Sequence, residues 1–228
     1  MRGLFVTGTG TGVGKTVVAA ALLCRYRTIS RTVYWKPVQT GIETDDDTTT
    51  VKRLASAGPD ELFDRGIRLA RPVSPHLAAE LADVRIAASA VAGLPGKADD
   101  RFWIVEGAGG VLVPLNESET MADLMFLLAL PVVVVAHSTL GTINHTLLTL
   151  EALRRRDIAI AGVILVGDRN VDNRKAIERF GAVSVLAEMP HFDPLTPEAL
   201  ETWARNGFAQ LPAINSAIAP PGQEGWRA

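Results

Sequence analysis

Residues 3–16 read GLFVTGTGTGVGKT, and no other stretch restricts the fold of this chain as much. A short apolar run passes into a loop with glycines at 8, 10, 12 and 14. Lys15, Thr16 and an apolar stretch, VVAAALLCRY, follow at once. The pattern predicts a strand over residues 3–7, a sharply bent loop, and a helix over residues 17–26 that begins near Lys15. Glycines let the backbone bend and turn its N–H groups inward. The positive end of the helix adds to the same concavity, so the loop is built to hold an anion.

The rest of the chain repeats the alternation. TVYW (32–35) is a strand ending at Lys36-Pro37, and helical periodicity runs over residues 48–55. Ser74-Pro75 has the form of an N-cap followed by proline at the first helical position, opening a helix through Leu81. Residues 102–105 form a buried strand that delivers Glu106 into GAGG, and PVVVVA (131–136) forms another. A helix spans residues 142–156, with basic residues in its last turn complementing the dipole. Strands follow at 159–166 and 183–187, and Thr196-Pro197 opens the last helix. Residues 58–100 carry the weakest pattern, and 82–100 read only as helix and loop. Continuously apolar strands alternating with helices predict an α/β fold, a mostly parallel sheet with helices on both faces. One domain over residues 1–211 is expected, followed by a loosely held tail, 212–228, containing Pro220-Pro221-Gly222.

Composition excludes several classes. The formal charge is −2 with no long basic run, which argues against nucleic acid and anionic membrane as partners. The apolar run LMFLLALPVVVVA (124–136) is broken by Pro131 and reads as helix, turn and strand rather than a membrane span. Cys24 lies in an apolar helical stretch and reads as a core residue, not a nucleophile. As the only cysteine it cannot form an internal disulfide, which suits a reducing cytoplasm. His76, His137, His145 and His191 form no H-x-x-H pair, so no zinc site is expected.

The loop resembles G-x-x-x-x-G-K-[ST], with one more residue between Gly8 and Gly14 than that pattern has. With a strand before and a helix after, this is the context of a P-loop NTPase. Lys15 is then expected to reach the β- and γ-phosphates of a nucleoside triphosphate, and the Thr16 hydroxyl to bind Mg²⁺. A dinucleotide-binding loop has no use for the Lys-Thr pair. KPVQTG (36–41) falls where a second parallel strand ends, so Lys36 is expected beside Lys15. Two ammonium groups at one phosphate suit an anionic transition state. In DDD (45–47) Asp47 is the preferred metal ligand, with Asp46 the alternative. VEGAGG (105–110) puts Glu106 at a strand end, followed by glycines that permit close approach. Mg²⁺ takes oxygen ligands, commonly one or two carboxylates completed by phosphates and water, and Thr16, Asp47 and Glu106 meet that need.

TGTGTGVGKT (7–16), KPVQTG (36–41), Asp47, SPH (74–76), VEGAGG (105–110), LGTINHTLLT (140–149) and EMP (188–190), in this order and spacing, resemble the dethiobiotin synthetases over most of the chain. The resemblance implies an enzyme of biotin biosynthesis. It makes dethiobiotin from 7,8-diaminononanoate, CO₂ and ATP with Mg²⁺, through a carbamate and a carbamic–phosphoric anhydride. By position, Gly12, Val13, Gly14, Lys15, Thr16 and Val17 wrap the phosphates, and Asp47, Glu106, Gly107, Ala108 and Gly109 complete that end of the nucleotide site. Lys15 and Lys36 neutralise carbamate and transferred phosphoryl, and Thr40 stands at the substrate. Gly141, Thr142, Ile143 and Asn144 match the segment that receives the substrate carboxylate from a neighbouring subunit, which implies a homodimer. A helix N-terminus at Thr142 suits that role.

Gly167, Asp168, Pro190 and His191 match positions around the base. Two departures stand out. The family commonly has Asn-Asp where this chain has Gly167-Asp168, so the base is expected to be held less selectively, and a strong preference for ATP does not follow. Some members carry a lysine where this chain has Thr139, so backbone N–H groups are expected to carry more of the carboxylate binding. The base preference itself stays open. The alternative is a dimeric nucleotide switch like the partitioning ATPases, but those carry a lysine at the position of Gly10. The cobyrinic acid diamide synthases need a further glutaminase domain.

Overall fold

The computed structural model describes residues 1–96 and 100–208, so the tail expected at 212–228 lies outside the described residues. Its main sheet has seven strands in the order β4-β2-β6-β1-β7-β8-β9. These are β1 (Arg2–Gly8), β2 (Thr32–Trp35), β4 (Leu62–Phe63), β6 (Phe102–Gly110), β7 (Val132–His137), β8 (Ile160–Val166) and β9 (Val185–Met189). Every adjacent pair is parallel. A second sheet pairs two short parallel strands, β3 (Val38–Thr40) and β5 (Ile67–Leu69).

Side chains alternate between two cores along each strand, as the pleat requires. Phe5, Val33, Trp35, Trp103, Val105, Val132 and Val134 enter one core, while Leu4, Val6, Tyr34, Phe102, Ile104, Val133 and Val135 enter the other. Both faces are therefore apolar, which is why the strands read as continuous apolar runs. The second core is closed by α1 (Lys15–Tyr26), α2 (Asp47–Leu54) and α8 (Pro197–Gly207). The first is closed by α3 (Pro75–Leu81), α4 (Ala88–Ala92), α5 (Met121–Leu128), α6 (Thr142–Arg154) and α7 (Val171–Gly181). Cys24, on α1, sits in the second core, and burial pushes its thiol pKa up, away from reactivity.

Several elements differ from the expectation. β6 does not stop at Val105 but continues through Gly110, because Gly8 pairs with Gly110 and keeps the ladder going. The strand expected at 32–35 is β2 and ends before Lys36, but the sequence did not signal that the chain then leaves the main sheet and re-forms as β3 against β5. Ser74 occupies the cap position of α3, but its side chain makes no capping bond. Helix α7 was not signalled by periodicity, since only Ile177 and Gly181 of its residues are buried. In the least legible stretch, α4 is a five-residue helix held by Ala88 and Val91 in the core.

Candidate active site

The strand order reverses around β1: β6 and β7 flank it, and a crevice opens beyond the carboxyl ends of the three. Gly14 takes the cap position of α1 at φ +95°, a left-handed conformation that favours glycine, and a Cβ there would come within 3.3 Å of the Val166 side chain. Lys15, the first residue of the helix, is buried and donates from Nζ to the Gly10 carbonyl at 2.9 Å. Burial, then the charge of Lys36, lowers its pKa from the ordinary 10.5. The two lysines expected to stand together therefore sense one another electrostatically.

Four elements meet at Glu106, which is fully buried on β6. Lys36, just past β2, spends its ammonium on Asp47 Oδ2 at 2.6 Å, Glu106 Oε1 at 2.8 Å and the Gly107 carbonyl at 3.0 Å. Those acceptors take all three of its protons. Thr16 Oγ1 on α1 lies 2.7 Å from Asp47 Oδ1 and 3.0 Å from Glu106 Oε1. Tyr34 donates its hydroxyl to Glu106 Oε2 at 2.8 Å. Burial alone lowers the pKa of Lys36, but Glu106 and Asp47 together outweigh it and raise the value above 10.5. A buried carboxylate needs such partners, and here they come from β2 and α1 rather than from its own neighbourhood in sequence.

Asp46 and Asp47 have separate surroundings. Asp46 caps α2, accepting from the Thr49 N–H at 3.1 Å, and pairs with Arg68 at 2.6 Å. Asp47 faces Lys36 and Thr16. A cleft of about 600 Å³ opens over this cluster, lined by Gly12, Lys15, Lys36, Asp47 and Glu106 among others, with Val17, Thr40, Ala108 and Gly109 also on its wall. Pro72, Val73 and Ser74 close the opposite side, where Gly41 packs on Pro72. Among the described residues no three His, Cys, Asp or Glu side chains gather in one place. Thr16 nevertheless lies within hydrogen-bond reach of both Asp47 and Glu106, and these three hard oxygen donors are a set that fits Mg²⁺ completed by phosphate and water.

The remaining candidates lie elsewhere. Gly167, at the end of β8, is buried at φ +125°; a Cβ there would stand 2.6 Å from Ser138 Oγ and 3.3 Å from His191 Nε2. The Gly167 N–H donates to the Met189 carbonyl at 2.9 Å, while Asp168, Pro190 and His191 are exposed. Gly141, Ile143 and Asn144 do not line the cleft of their own chain. Gly141 caps α6 at φ +92°, and Thr142 is its buried first residue, its hydroxyl without a hydrogen-bond partner among the described residues. Sequence reasoning missed Tyr34 and Ser138. A tyrosine in a wholly apolar strand is itself a signal, because a buried phenol generally seeks a partner.

A family model described as an AAA domain matches residues 2–199. An ATP-dependent dethiobiotin synthetase, BioD, of Paramagnetospirillum magneticum is 50% identical over 86% of this chain and 91% of its own length. The chain belongs to the dethiobiotin synthetase family. This member also matches the biotin biosynthesis bifunctional protein BioCD of Bordetella avium, 45% identical over 95% of this chain but only 44% of that longer protein. The synthetase fold extends further: a ParA family ATPase from Chlorobium tepidum superposes with a TM-score of 0.57 over 96% of this chain and 98% of its own, at 12% identity. That likeness shows the fold alone. No helix among the described residues is long and apolar enough to cross a membrane.

Proposed function

We propose that this chain closes the ureido ring of dethiobiotin from 7,8-diaminononanoate, CO₂ and ATP, as a cytoplasmic homodimer that works with Mg²⁺. The observation that carries the reading is the meeting of Lys36, Asp47, Glu106 and Thr16 in one cleft with Lys15. One substrate amine adds to CO₂ and loses a proton to give a carbamate. A carbamate oxygen attacks the γ-phosphorus, and the bond to ADP breaks. The second amine then attacks the carbonyl carbon, and phosphate leaves as the ring closes. Each step gathers negative charge beside two ammonium groups held in place beforehand, the arrangement that lowers such barriers most. Lys36 reaches the carbamate by exchanging one of its three present acceptors.

Thr16, Asp47 and Glu106 would hold the magnesium, and when bound it neutralises the β- and γ-phosphate oxygens. The exposed segment with Gly141 and Asn144, bordered by the fully exposed Leu140 and by Leu148 further along α6, supports a site completed by a second copy. The first turn of a helix leaves N–H groups without intrahelical partners, and these suit the substrate carboxylate. Thr40, on the cleft wall, faces the same substrate.

The test is phosphate release with Mg²⁺, bicarbonate and 7,8-diaminononanoate, with the product mass read in parallel. Release that depends on the diamine, together with a dethiobiotin mass, is the expected result. Release that proceeds equally without the diamine would overturn the reading and favour a nucleotide switch.

A further inference from the structure

Two tyrosines share the core that α1 closes, Tyr26 at the end of that helix and Tyr34 on β2, and their hydroxyls are treated differently. Tyr26 is 1% exposed, its ring stacks on Phe102 at 4.3 Å, and its hydroxyl has no hydrogen-bond partner among the described residues. Tyr34 is 0% exposed, and its hydroxyl donates to Glu106 Oε2 at 2.8 Å. This core therefore accepts a phenol for its ring alone, and the hydroxyl of Tyr34 has a further use.

That use follows from the shape of a carboxylate. The last torsion of a glutamate is broad and soft, so nothing within the side chain decides which oxygen points where. The bond from Tyr34 pins Oε2 toward the core. Oε1 is thereby left facing Lys36 at 2.8 Å and Thr16 at 3.0 Å, on the cleft side. Tyr34 is placed to do this by register: it sits beside Ile104 in the β2–β6 ladder, and Ile104 and Glu106 share a face of β6.

We propose that Tyr34 is a positioning residue for the carboxylate that would hold the metal, fixing Glu106 so that Oε1 faces Lys36 and Thr16 on the cleft side. The proposal rests on the reading of Thr16, Asp47 and Glu106 as the metal-holding set. Without the hydroxyl, Oε2 is left buried with no donor and the carboxylate turns among several orientations. Partners that orient a metal ligand act on affinity through the ligand rather than through contact with the metal.

The experiment uses the full chain with a non-hydrolysable triphosphate analogue and Mn²⁺ as probe, bound metal being read by electron paramagnetic resonance. Tyr34→Phe, which keeps the ring and its packing, is expected to weaken Mn²⁺ binding about tenfold, the usual cost of losing such a partner. Tyr26→Phe is expected to bind as the wild type does. Glu106→Gln is expected to weaken binding further, and the double variant Glu106→Gln/Tyr34→Phe to match Glu106→Gln alone, since both changes act through one carboxylate. Wild-type binding by Tyr34→Phe, with Glu106→Gln impaired, would overturn the proposal. So would a double variant weaker than Glu106→Gln by the full Tyr34 factor. Unchanged binding by Glu106→Gln would remove the metal-site reading and this inference with it. No diamine is present, so a failure of the ring-closing assignment shows in the product assay and not here.

Discussion

The two ends of the nucleotide path are built by opposite means. At the phosphate end, side chains from α1, α2, β6 and the end of β2 converge through contacts from 2.6 to 3.0 Å, and Glu106 and Lys36 are buried. At the end matched to the base, the elements are a buried glycine, a serine and an exposed histidine, tied by a backbone bond from Gly167 to Met189. Charge changes during phosphoryl transfer and ring closure at the first end only. Only groups that favour the transition state over the ground state raise turnover, so preorganised charge belongs where charge changes. On the proposed reading, the second end contributes binding that is the same before and during reaction. Substitutions at the phosphate end should therefore lower kcat, and those at the base end should alter KM and the ranking of triphosphates.

The largest effect is expected from Lys36→Met. Removing a preorganised cation from the developing charge should lower dethiobiotin formation at saturating substrates by about 10³-fold. Binding of a triphosphate analogue should persist, because Lys15 and the loop backbone remain. A kcat near the wild-type value would break the comparison at once. The neighbouring aspartates sharpen it. Asp47→Asn should lower turnover by about 10²-fold, as loss of a single electrostatic partner does. Asp46→Ala should leave turnover near wild type and cost about 1 kcal/mol of stability as a lost helix cap. A melting curve beside the activity assay separates the two, and equal losses of activity would show that the acidic triplet acts as one unit.

Legibility followed the same division. That the glycine loop, Lys15, Thr16, Lys36 and Asp47 come together could be read because each lies at a strand end or helix start in a parallel sheet, and topology brings such positions together; Glu106 joins them from inside β6, which runs on to Gly110. The strands were readable because both faces of the sheet are buried. The register of the KPVQTG segment was not readable, since β3 and β5 are three residues each and pair with one another across a long stretch of chain. Tyr34 was hidden by sitting among apolar neighbours; its meaning depends on a partner 72 positions away. Ser138 escaped for a similar reason: its hydroxyl matters only because Gly167 brings a strand end against it.

Gly167 is where turnover should respond least, and it gives the finest test of the contrast. At φ +125° any Cβ is strained, and here it would also stand 2.6 Å from Ser138 Oγ. Gly167→Ala should cost about 1–3 kcal/mol of stability, the scale of one residue forced into a disfavoured backbone region. Adding Ser138→Ala should return the steric part of that cost and leave the backbone part. Turnover should stay near wild type in both variants. The wild-type chain has no carboxamide at this position to read a base edge. Its kcat/KM values for ATP, CTP and GTP should therefore lie within about tenfold, far short of the 10⁴-fold or more that a site built to hydrogen-bond its substrate achieves. A ranking that steep, measured by phosphate release with each triphosphate, would mean that Ser138, His191 and the backbone at Gly167 read the base as firmly as Lys15, Lys36 and the glycine loop are proposed to hold the phosphates. The two ends would then differ in their materials but not in their rigour.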